Sequence, residues 1–243
     1  MAYRDDEDLN FLNEVSSEDL DILVNILIKD EKGNKRTTEE ITLTDEYKSY
    51  SPDHNKYWEL VGAEIQCYGA NTITTMFRGG KGVPYKEVLA NACDKMKVNY
   101  NKNASVEIIE MNLLMKIMTE AMEKMSSEEL KKVVEDLDLK TTNYSAQAVT
   151  LALQGAIKFS GFAAYKVAVI VANAIAKAIL GRGFTIAANA TLTRTIGVFA
   201  GPIGWVITGL WTIVDIAGPA YRVTIPAVIQ IAFLRAQLKY KEK

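Results

Sequence analysis

Acidic side chains all but stop at residue 140. Of the thirty Asp and Glu residues only Asp215 and Glu242 lie beyond it, together with ten of the 28 Lys and Arg residues. Residues 1–140 therefore carry a net charge of −10 and residues 141–243 one of +8, although the chain as a whole stands at −2. The second half is rich in Ala, Val and Ile and short of carboxylates, so it must cover itself with its own helices, a membrane or a partner. A chain of 243 residues can bury a sizeable core as one large domain or two small ones.

The acidic half reads as helices punctuated by polar caps. Leu9, Leu12, Leu20, Leu23, Val24 and Leu27 recur at helical spacing, with Ser16 and Ser17 as N-cap candidates between a short helix and a longer one. Asp30 to Lys35 is turn chemistry, Thr37 to Glu40 reads as a capping box before Ile41, and residues 44–55 read as polar linker. A helix is predicted from Lys56 toward Phe77, followed by the glycine loop Arg78-Gly79-Gly80-Lys81-Gly82 and a helix opening at Pro84 with Val88, Leu89, Ala92 and Met96 on one face. Ser105 to Met125 is a strong helix former, and Ser126 to Glu129 is a capping box for a short helix ending near Leu139.

Past Thr141-Thr142-Asn143 the texture changes. Lys158, Lys166 and Lys177 are spaced to share one side of a helix over 145–180, before a break at Gly181-Arg182-Gly183. Thr195 to Val214 holds no charge for twenty residues, long enough to cross a hydrocarbon layer of about 30 Å. Pro202 lies inside it, lacks an amide proton and predicts a kink or a break into two half-helices. A second uncharged run, Val223 to Leu234, contains Pro226. The fold class predicted is all-α: a multi-helix bundle with an apolar C-terminal helical hairpin region. Its segments are a short helical N-terminal domain (1–36), an acidic helical domain (37–140) and an apolar, basic helical domain (141–243).

Phe199, Pro202, Trp205, Leu210, Trp211, Tyr221 and Phe233 are the candidates for membrane or partner contact, with the tryptophans and Tyr221 suited to an interface and the terminal lysines to anionic headgroups. The bland alternative is that they pack a buried hairpin. Asp215, if buried, must pair, with Arg222 or Arg194 as partners, or take up a proton. Arg78, Gly79, Gly80 and Lys81 resemble an anion loop only weakly, since no Ser or Thr follows the lysine. Cys67 and Cys93 are 26 residues apart and His54 is the one histidine, so no disulfide framework, metal site or cofactor motif is supported. The acidic N-terminus does not resemble a secretory signal, which places the chain in the cytoplasm.

Three stretches, AYRDDEDLNFL, GANTITTMFRGGKGVPYKEVL and GPIGWVITGLWTIVDIAGPAYRVTIPAVIQIAFLR, together resemble the bacterial YaaW-type uncharacterised protein family, over nearly the full length. The resemblance implies an N-terminal domain of unknown function (about residues 1–35) and a middle region likened to ubiquinol–cytochrome c chaperones. It implies a helical module that helps assemble membrane proteins and carries over no catalytic motif.

The function expected is non-enzymatic: association with membranes or membrane proteins in a chaperone-like or assembly role, in the cytoplasm or peripheral to or inserted in the inner membrane. One alternative is a pore-forming effector or toxin with a sheltered apolar hairpin. Another is a soluble protein-interaction module, including a homo-oligomer. Neither nucleic acid nor a small-molecule substrate is among the partners expected, because the basic half is apolar rather than densely basic.

Overall fold

The computed structural model describes residues 2–30, 32–68, 82–183, 190–217 and 220–241, the side chains of 190, 191, 210–217 and 241 excepted. Among these residues the chain forms ten α-helices and three short 3-10 turns, with no β-strand.

The acidic half supplies α1 (Ser17–Ile28), α2 (Asp45–Tyr50), α3 (Trp58–Tyr68), α4 (Tyr85–Lys95), α5 (Val106–Met122) and α6 (Ser127–Asp136). Their starts follow the expected cap chemistry. The Ser16 hydroxyl accepts from the Asp19 amide, and at Ser126 and Glu129 both halves of the capping box form. The box expected at Thr37 to Glu40 does not form. Glu39 is instead buried and accepts from the amide and hydroxyl of Thr42, which leaves only a 3-10 turn at Ile41–Leu43. Within the supposed linker, the Thr44 side chain accepts from the Tyr47 amide and opens α2, a helix with no buried residue and hence no apolar periodicity to announce it.

The apolar half supplies α7 (Ala146–Phe159), α8 (Gly161–Leu180), α9 (Ala190–Ala217) and α10 (Tyr221–Lys241). Helix α8 occupies the centre, packed against α10, α9, α5, α7 and α1. Residues 167–176 are buried all the way round it, as an apolar sequence without a polar face requires. Residues 223–234 of α10 are likewise all buried. The continuous lysine side predicted over 145–180 is interrupted: Ser160 is extended and splits α7 from α8, so Lys158 belongs to a different helix from Lys166 and Lys177. Gly181, at φ 69°, ends α8 in the left-handed conformation glycine tolerates best.

Helix α9 runs through Pro202 as one element rather than two. Helix α10 likewise runs through Pro226, so neither proline splits its helix. One hydrophobic cluster runs from Leu9 through the acidic helices to Leu234, so both halves contribute to it.

The N-terminal segment is clasped to α3 and α4 by polar contacts. The Gln66 side chain accepts from the Arg4 amide at 3.0 Å and donates to the Arg4 carbonyl at 2.9 Å, while Arg4 Nε donates to the Gly82 carbonyl at 3.0 Å. Asp6 accepts from the Tyr85 amide at 2.6 Å and from Gln66 at 3.2 Å. These bonds satisfy groups that α3 and α4 would otherwise bury unpaired.

Candidate interaction surface

Three places combine chemistry with position: a buried ionic cluster, a cavity, and the outer face of α9. The cluster joins α10 to α5. Arg235 Nε donates to Glu110 at 3.0 Å, its Nη2 donates to the Asp8 carbonyl at 2.6 Å, and the Tyr85 hydroxyl donates to Glu110 at 2.7 Å. Burial pushes the Glu110 carboxyl up from its ordinary value against the pull of Arg235, and burial with the adjacent Glu110 charge holds the Tyr85 phenol neutral. Glu110 is 3% and Arg235 8% exposed, and the Glu110 carboxylate is held by both Arg235 and Tyr85, which fits a structural tie between helices.

A cavity of about 300 Å³ opens between the C-terminal ends of α1 and α8, lined by Asn25, Lys29, Asp30, Lys32, Ile179 and Arg182 among others. Its lysines favour an anion, whereas two helix C-termini and Asp30 oppose one. Arg182 is also engaged, donating to Asp21 at 2.7 Å, and Asp21 pairs on its other oxygen with His54 at 3.3 Å. The hydrogen bond from His54, and after it those from Arg182, hold the Asp21 carboxyl far below its usual range.

The α9 face is different because, among the described residues, little covers it. Leu192, Thr195, Phe199, Ile203 and Val206 point inward and are buried, at the three- and four-residue steps of one helix side. The opposite side presents Arg194, Gly197, Gly201, Trp205 and Thr208 to solvent, and Trp205 is 66% exposed. At Gly197, Gly201 and Gly204 a Cβ would meet nothing within 4 Å, so the helix backbone itself lines a shallow trough beside the indole. Small residues four apart are what let a second helix approach closely.

Other candidates from the sequence fall as follows. Phe199, Pro202 and Phe233 are buried in the core and Tyr221 is half-buried, so of the described contact candidates Trp205 alone stands well out. They pack inward because α9 and α10 each bury the helix side that carries them. The side chains of Leu210, Trp211 and Asp215, and the loop Arg78 to Lys81, lie outside the described residues. Arg194 reaches Asp136 on α6 at 2.7 Å, a partner from the acidic half. The ionic tie of Arg235 and the exposed Phe159, 93% open at the end of α7, were not singled out from sequence. An arginine closing an apolar run was the available signal for the first.

The chain matches the family model described as Ubiquinol-cytochrome C chaperone over residues 53–229 and Domain of unknown function (DUF3944) over residues 3–37. It is 48% identical over 236 residues to a UPF0174 protein of Helicobacter pylori strain J99, covering 97% of this chain and 93% of that protein. A UPF0174 protein of Helicobacter pylori strain 26695 is 41% identical over 208 residues, with 84% and 99% covered. The UPF0174 protein YaaW of Escherichia coli strain K12 is 29% identical over 241 residues, with 97% and 96% covered. No solved structure matches the chain.

Proposed function

Because the chain belongs to the UPF0174 family and to the ubiquinol–cytochrome c chaperone family, we propose that it is a non-enzymatic, chaperone-like protein that holds apolar helices of membrane proteins at the cytoplasmic side of a membrane. The observation that carries this reading is Trp205, 66% exposed on a side of α9 otherwise built of glycine, threonine and Arg194. A glycine trough gives an incoming helix backbone contact without needing polar partners, and the indole covers its side. The absence of acidic residues between Lys140 and Asp215 keeps repulsive and costly carboxylates away from an apolar client.

The test is a solubility assay with a synthetic transmembrane peptide added from denaturant. The protein is expected to keep the peptide in the supernatant, and Trp205→Ala or Gly197→Leu to weaken that activity several-fold while far-UV dichroism stays unchanged. Equal peptide aggregation with and without the protein would sink the reading.

Pore formation is a second reading, favoured by α8. It is long and apolar enough to cross a bilayer, and most of its length is buried by neighbouring helices, as a sheltered insertion helix would be. The central helix of a water-soluble bundle has the same character. Dye release from vesicles supports pore formation, and intact vesicles from pH 5 to 7.5 count against it.

A further inference from the structure

We propose that the elbow between α7 and α8 is a docking point for an anionic lipid bilayer. At this corner Phe159 is 93% exposed, and around the turn Phe162 and Tyr240 are 37% and 42% exposed. Phe162 stacks on Tyr240 at 5.0 Å between centroids, and Tyr240 on Tyr165 at 4.7 Å, so α8 and the end of α10 hold the aromatic group in place. Leu151, 61% exposed, lies two turns before Phe159 along α7 and extends the apolar surface on that helix. A ring as open as Phe159 suits a surface that deforms around it.

The charges identify the partner. Lys158 is exposed beside Phe159, and the Lys166 ammonium lies 4.6 Å from the Phe162 ring centre. Neither lysine has a carboxylate within ion-pair distance among the described residues, and α7 and α8 contain no Asp or Glu. The carboxylates whose charge acts on this corner are engaged: Asp138, near Lys166, pairs with Lys140 at 2.7 Å, and Asp19, near Tyr165, accepts from the Gln237 side-chain amide at 3.0 Å. Aromatic rings that sit at headgroup depth, flanked by lysines with apolar stems, are the residue types that bind an acidic leaflet. The bilayer reading rests on the same membrane-side role proposed for α9, yet it uses different residues and fails separately.

The experiment is flotation of the full chain with vesicles of phosphatidylglycerol or of phosphatidylcholine. The protein is expected to float with phosphatidylglycerol and far less with phosphatidylcholine. Removing two interfacial rings, Phe159→Ser with Phe162→Ser, should lower the bound fraction about tenfold. Phe159→Ser alone, at a side chain open to solvent, should give a smaller loss with no change in thermal unfolding. Lys158→Glu with Lys166→Glu should abolish the preference for phosphatidylglycerol. Leu43→Ser, at another well-exposed apolar residue (62%) on the acidic half, should float like the wild type. A wild-type chain that stays at the bottom with phosphatidylglycerol, or elbow variants that float as it does, would overturn the proposal. A wild-type chain that does not float yet still captures the peptide removes the elbow reading alone, and one that floats without capturing the peptide removes the α9 reading alone.

Discussion

Arg235 and Glu110 stand 125 positions apart in sequence and 3.0 Å apart in the fold, buried where α10 crosses α5. Either charge left alone there would lack both water and a counter-ion. Arg235→Met is expected to lower unfolding free energy by about 3 kcal/mol or more, and Glu110→Met by a similar amount. The double variant should recover much of the loss, because an apolar pair removes both desolvation penalties. Urea unfolding of the four proteins checks this, and strictly additive losses would show that the two side chains do not act as a pair.

Glu64 sets a pH dependence. It is 2% exposed on α3, accepting from the Glu40 amide, and burial raises its carboxyl from the ordinary 4.5 to about 7. A raised folded-state value means the native state favours the protonated acid. The corresponding stability is therefore complete below about pH 4.5 and is lost as pH rises through about 7. Glu64→Gln should flatten the fall across that window and exceed the wild type above it by on the order of 2 kcal/mol. Thermal unfolding scanned from pH 5 to 8 measures it; identical slopes would refute the assignment.

Two glycines should respond in opposite directions to alanine. A Cβ on Gly82 would lie 2.1 Å from the Gln66 carbonyl carbon, a backbone atom that cannot step aside, and the Arg4 and Gln66 clasp hangs on that approach. Gly82→Ala should cost about 2 kcal/mol or more. On the open side of α9, Gly197→Ala meets nothing within 4 Å and should raise stability by about 0.5–1 kcal/mol through helix propensity. Melting temperatures of the two variants should fall on opposite sides of the wild type.

The capping box at α6 gives a smaller effect. Ser126 accepts from the Glu129 amide at 3.3 Å, and the Glu129 carboxylate accepts from the Ser126 amide at 2.8 Å. Ser126→Ala should cost about 1 kcal/mol. Amide exchange should show faster opening of the first turn of α6 and little change in α8.

Helices with a cap and an apolar stripe were legible in the sequence. Ser16, Pro84 and Ser126 mark helix starts because capping is decided within four residues. Helix α2 was not legible, being short and with no buried side. The division at Ser160 was hidden because Ala, Val and Ile continue on both sides of it. Pro202 argued for a kink or a break into two half-helices, and the helix runs through it as one element, as α10 does through Pro226. Of the surface, the acid-poor half could be seen from composition, but which of its rings face water depends on how α8, α9 and α10 turn against one another. Phe199 and Trp205 lie six residues apart in the same uncharged run, one buried and one exposed, and it takes the packed helices to tell them apart. Arg194 shows the same limit, since its partner Asp136 comes from a distant helix.

Helix α10 covers the central α8 and reaches Asp8 through Arg235. During synthesis, α8 and α9 leave the ribosome before the element that shields them exists. Until α10 emerges, the nascent polypeptide presents its greasiest segments to the surroundings, and the Asp8 carbonyl waits for an arginine made more than two hundred positions later.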